Sequence, residues 1–166
     1  VLIQGGGYSG FYFMHGRLES LENAYNRTYL CYSAGCLNAV ALWSGYSGLQ
    51  LVDFGRHSQN LYVQGEMPWI NATEQMIDNV IAGRGLERGR PRVSALERRA
   101  RKNPKFLSNL NIMTTTFQWG FIPTLTIRTP CSLVELKEYL LQTCWIPYAT
   151  GHGFAHKGHN DGLFTM

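Results

Sequence analysis

No apolar run in the chain is long enough to cross a bilayer as a helix, so any membrane contact is expected to be peripheral. A signal-peptide pattern is missing as well: Val1-Leu2-Ile3-Gln4 is short and runs straight into glycines. An intracellular location is therefore the expectation. The four cysteines, Cys31, Cys36, Cys131 and Cys144, form no C-x-x-C pair and no zinc-ligand spacing, so neither a metal nor a cofactor is expected. They read as reduced core residues, not as a disulfide framework. Aspartate is scarce: only Asp53, Asp78 and Asp161 occur. The first two fall in helical patterns, which leaves Asp161 in a loop between glycines.

What is present suits one folded domain over residues 1–166. Apolar residues make up 45% and charged residues 16%, too apolar a balance for a disordered chain. The sequence starts without Met inside a strand pattern and stops after a glycine-rich turn, so it reads as a fragment of a longer protein. The positive charge is concentrated. Arg84 to Lys105 holds nine basic residues against Glu87 and Glu97, more than the whole chain's net +4, so the remainder is net acidic. This basic segment is either a solvated surface insertion or a peripheral patch for anionic lipid. Without aromatics among the charges, it does not suggest nucleic acid.

Periodicity places strands at Val1–Gln4, Arg27–Tyr32, Asn111–Phe117 and Thr124–Thr129. Helices are expected over Tyr8–Leu21, Ala34–Trp43, Leu49–Val63 (weakened by Gly55) and Thr73–Ala82, the last stopped by Gly83. A short basic helix follows a Ser94/Glu97 capping box, and another spans Ser132–Cys144. Strand, glycine turn, helix, strand, sharp turn, helix is the start of a doubly wound α/β fold with a mostly parallel sheet. The tail from Gly151 to Gly162 reads as loop.

Three short segments could carry chemistry. Gly5-Gly6-Gly7-Tyr8-Ser9-Gly10 joins a strand to a helix, where amides and the helix dipole can converge on an anion or an oxyanion. The bland alternative is a tight turn. Cys31-Tyr32-Ser33-Ala34-Gly35 places a serine between strand and helix, as a nucleophile elbow does; the alternative is a helix N-cap. Asn160-Asp161-Gly162 offers a carboxylate, or an Asx turn. Gly5, Gly7 and Gly10 also fit G-x-G-x-x-G, but no acidic residue ends the second strand, so a nucleotide-binding module ranks last.

In this order the three segments resemble those of the patatin-like phospholipase family: G-G-G-x-[RK]-G, G-x-S-x-G and D-G-[GA]. Leu140 to Pro147 is similar to the family's helix and following Ile/Leu-Pro segment, and residues 47 to 108 match poorly. The resemblance implies a three-layer patatin-like fold and a lipid or other ester as substrate. It makes Ser33 the nucleophile and Asp161 its base, with Gly5, Gly6 and Gly7 as the oxyanion hole. Gly10, Gly35 and Gly162 support the motifs. Ser9, Cys31 and Leu163 depart from the pattern. The rival expectation is a patatin-fold subunit without turnover. His152, His156 and His159 are expected to be solvated loop residues outside any triad, and the oligomeric state is left open.

Overall fold

In the computed structural model the described residues are 1–82, 93–119, 122–146, 150 and 152–162, without the side chains of Tyr8 and Ser9. Among them five strands form one sheet: β1 (Leu2–Ile3), β2 (Tyr29–Cys31), β3 (Leu110–Gln118), β4 (Ile122–Arg128) and β5 (Asn160–Asp161). β1, β2 and β3 run parallel in that order; β4 and β5 pair antiparallel with β3. The result is a mixed α/β fold with a mostly parallel sheet and flanking helices.

Among the described residues six α-helices accompany the sheet: α1 (Gly7–Glu19), α2 (Ala34–Ser44), α3 (Gly48–Val63), α4 (Trp69–Ala82), α5 (Ala95–Lys102) and α6 (Leu133–Thr143). Each expected helix forms. Gly55 does not interrupt α3, and its lack of a side chain is used, since a Cβ there would overlap the Tyr12 hydroxyl of α1. α4 starts at Trp69, earlier than the periodicity suggests, because the Pro68 carbonyl already accepts the Ala72 N–H. Ser94 caps α5 and Ser132 caps α6, each accepting from the backbone N–H three residues on. Gly83, like Arg84–Arg92 of the basic segment, lies outside the described residues.

Burial explains the layering. α2 is buried along almost its whole length and acts as a central helix against α1, α4, α5 and α6. The single apolar core takes residues from all six helices and from alternate strand positions: Ile3, Tyr29, Cys31, Leu110 and Ile112. The strand order advances from β1 to β3 without reversing, and right-handed crossovers in such an order leave their helices on one face. On the other face Leu2, Leu125 and Ile127 keep 51%, 44% and 53% of their surface exposed. The expected mixed α/β fold, with a mostly parallel sheet flanked by helices, is what the described residues form.

The last strand corrects a second expectation. Asp161 does not sit in a loop: Asn160 and Asp161 pair with Thr115 and Thr114 of β3. β4 already occupies one edge of β3 over this stretch, so β5 lies on the edge that β2 uses. β2 leaves that edge at Ile112, where the chain turns away into α2. β5 takes the edge up two residues further along, about 7 Å at strand rise.

Candidate active site

Ser33 stands where β2 gives way to α2, and its backbone is unusual. At φ 52° and ψ −140° it occupies a region that residues with a side chain rarely enter, at a cost of about 1–3 kcal/mol. An ordinary N-cap residue has extended backbone and spends its hydroxyl on the first-turn amides. Ser33 has neither feature: its side chain makes no capping bond. Ser33 thus stands at the N-cap position of α2, at a sharp strand-to-helix turn, without spending its hydroxyl on the cap.

Glycine is needed around that elbow for want of space. A Cβ on Gly35 would come within 2.6 Å of the backbone oxygens of both Ile3 and Gln4, so α2 starts directly against the end of β1. A Cβ on Gly5 would stand 2.8 Å from the Ser33 Cβ. On Gly162 it would stand 2.8 Å from both the Tyr32 Cβ and the Met113 oxygen. Thus the glycine turn touches the serine, and the glycine after Asp161 touches the residue before it. Three segments far apart in sequence meet at one place.

Gly6 and Gly7 open α1, and Gly7 itself has φ 55°. The N-cap residue, Gly6, has no side chain to cap the helix start, and the first turn carries no acidic residue. Its amides and the positive end of the helix dipole face no competing carboxylate of their own helix. The close approach is a requirement on Gly6, since a Cβ there would meet the Gly10 Cα at 2.9 Å, whereas a Cβ on Gly10 would meet nothing within 4 Å. The Gly10 N–H donates to the Gly6 oxygen.

Asp161 is 3% exposed. Its N–H donates to the Trp145 carbonyl at 2.9 Å, and its own carbonyl accepts from the Thr115 hydroxyl at 2.8 Å. Its carboxylate lies near Cys144: burial first, and then the Asp161 charge, push the Cys144 thiol up from its ordinary value. The acid is held on β5 between β3 and the end of α6.

The histidines divide. His152 is exposed, and His156 leans on Glu138 at 3.4 Å. His159, expected to be solvated, is 6% exposed, and its Nδ1 shares a hydrogen bond with the Thr114 hydroxyl at 3.0 Å. Burial lowers its pKa. It supports β5 as a packed residue. The cysteines also differ from expectation: Cys31 and Cys36 form a disulfide that brackets Ser33, and Cys131 is exposed. Cys31 stands where the elbow pattern has glycine, and bonding carries its sulfur toward α2. No local spacing signals this pair.

One further residue at the site carries no motif signal. Thr143, the last residue of α6, accepts the Ser33 N–H at 2.8 Å and donates to the Met113 carbonyl at 2.7 Å. Only its place in a small-residue stretch before Ile146-Pro147 marks it in the sequence. A cavity of 230 Å³ lies elsewhere, between α5 and the start of α6, and none of the site residues lines it. Among the described residues no cluster of His, Cys, Asp or Glu could hold a metal ion. Leu163 and the Ser9 side chain lie outside the described residues. No helix among the described residues is long and apolar enough to cross a membrane. No family model matches the chain, and no curated protein or solved structure matches it.

Proposed function

We propose that this chain is a patatin-like lipid acyl hydrolase, a phospholipase or esterase working through a Ser33–Asp161 dyad. The observation that carries the reading is the backbone of Ser33: a strained elbow that leaves the hydroxyl unused as a cap, with Gly5 and Gly162 packed against it and its neighbour. Backbone strain of this kind persists where the surroundings over-determine it, and it gathers at catalytic positions.

In this mechanism Ser33 Oγ attacks the ester carbonyl while Asp161 takes the hydroxyl proton. Amides of Gly6 and Gly7, at the positive end of α1, receive the developing oxyanion, with Gly5 keeping the turn against the serine. The alcohol leaves with the proton, forming an acyl-serine. Water, deprotonated by Asp161, then releases the acid and restores Ser33. No cofactor is needed. The three-layer patatin-like architecture belongs to the same proposal.

The substrate is placed in the lipid class, with the basic segment as a peripheral contact to an anionic surface. Arg98, Arg101, Lys102 and Lys105 are exposed there. Arg99 is not available for it: its guanidinium lies over Tyr25 and donates to the Trp43 carbonyl. Hydrolysis of p-nitrophenyl esters and of phospholipid vesicles tests the reading. Ser33→Ala and Asp161→Asn abolish turnover, while His152→Ala and His156→Ala retain most of it. Turnover that survives Asp161→Asn and disappears with a histidine would replace the dyad by a triad. Folded protein without turnover on any ester would favour a non-catalytic subunit, the reading to which the departures at Ser9, Cys31 and Leu163 lean.

A further inference from the structure

We propose that Thr143 is the positioning residue of the elbow: its hydroxyl holds the Ser33 backbone in the orientation that acyl transfer requires. The inference rests on the hydrolase reading and adds to it a residue outside the three motifs.

The argument starts from what one hydroxyl can do. Thr143 has a single O–H proton, and its oxygen can also accept. The Met113 carbonyl accepts only, so the proton goes there, at 2.7 Å. The Ser33 amide donates only, so it occupies the oxygen lone pair, at 2.8 Å. Both directions are fixed without ambiguity. Thr143 is fully buried, which makes either partner costly to leave unpaired.

Three elements meet in this one oxygen. Thr143 closes α6, Met113 lies in the middle of β3, and Ser33 is the elbow. The same Met113 carbonyl also limits the space at Gly162. The same β3 segment therefore sets Asp161-Gly162 through strand pairing and Ser33 through Thr143. The bond has a second consequence. It occupies the Ser33 N–H, so oxyanion donors must come from elsewhere, as the Gly6 and Gly7 amides would. A φ of 52° at a serine needs such a restraint.

Thr143→Val keeps the shape and removes the hydroxyl; Thr143→Ser keeps the hydroxyl. Each is compared with wild type in p-nitrophenyl butyrate hydrolysis, corrected for folded fraction, and in deuterium exchange at the Ser33 amide. We expect Thr143→Val to lose about 10- to 100-fold in kcat, the worth of one buried hydrogen bond. Its KM stays within about twofold, because a backbone restraint on the nucleophile acts on the reacting state and not on uniform binding. Ser33 amide exchange accelerates in Thr143→Val. Thr143→Ser restores both readouts. An active wild type whose Thr143→Val variant keeps its kcat once corrected for folding would overturn the proposal, leaving Thr143 as packing alone. A folded wild type with no turnover would fail the hydrolase reading itself and the positioning role with it, and that outcome is recognisable before any variant is made.

Discussion

A Cβ on Gly35 would stand 2.6 Å from the carbonyl oxygens of Ile3 and Gln4, so the helix that follows Ser33 begins in contact with the strand that precedes the glycine turn. The two motifs are thereby one structure. What displaces α2 displaces the serine, and what displaces the end of β1 moves the glycine nest.

Gly35→Ala is accordingly expected to destabilise the protein by about 1–3 kcal/mol, because every atom it would meet is backbone of Ile3 and Gln4, leaving no flexible atom to yield. Gly5→Ala meets no backbone atom this closely: it meets the Tyr32 ring, which can shift, and the Ser33 Cβ, which moves only with the elbow itself. Its predicted cost is smaller, and its effect falls on the position of Ser33. Urea unfolding ranks the two, and an order with Gly5→Ala the more destabilised would contradict the packing account.

Ser33→Gly should remove the strain of a side chain at φ 52°. Glycine's extra unfolded-state freedom offsets part of the gain, leaving a net stabilisation of about 1 kcal/mol. The variant is predicted to be more stable and without hydrolase activity, a trade expected where function and strain share a residue. A loss of stability in thermal unfolding would show that Ser33 is not strained.

The Cys31–Cys36 bond closes a loop around the elbow. Chain entropy for a loop this short gives about 2 kcal/mol. Unfolding in guanidinium with and without a thiol reductant should show a loss of that order, absent in the Cys31→Ser/Cys36→Ser double variant. Peptide mapping without reduction should recover the two cysteines joined, with Cys131 alkylated as a free thiol. Alkylation of Cys31 under the same conditions would contradict the bond.

His15 is fully buried on α1, and its Nε2 lies 3.2 Å from the Tyr46 carbonyl. Burial lowers its pKa, opposed in part by that carbonyl and by Glu19. His159 shifts the same way, also chiefly through burial. A folded state that holds protons less tightly than the unfolded chain loses stability as pH falls below the unfolded histidine value of about 6.5. The melting temperature should fall between about pH 7.5 and 5.5, and His15→Gln should flatten that fall. Equal slopes in both proteins would remove His15 from the account.

Much of this arrangement was legible locally. Helix caps at Ser94 and Ser132, the periodicity of α1 and α6, and the strand-to-helix position of Ser33 are all written within a few neighbouring residues. What could not be read is carried by contacts across the chain. The Thr143 bond to Ser33 spans 110 residues, and nothing near either residue announces it. Asp161 looks like loop by composition, and becomes strand only because β2 vacates the β3 edge beyond Ile112. His159 sits among exposed loop residues in sequence, yet strand pairing carries it inward to Thr114. The number of helical layers likewise depends on strand order, which periodicity does not encode.

The central claim is that Ser33 is a nucleophile, and covalent labelling tests it most directly. A fluorophosphonate probe on the folded protein, followed by peptide mapping, should place one adduct on the peptide containing Tyr32-Ser33-Ala34. Labelling should be lost in Ser33→Ala and strongly slowed in Asp161→Asn. Well-folded protein that takes up no probe, or takes it up at another serine, would contradict the account.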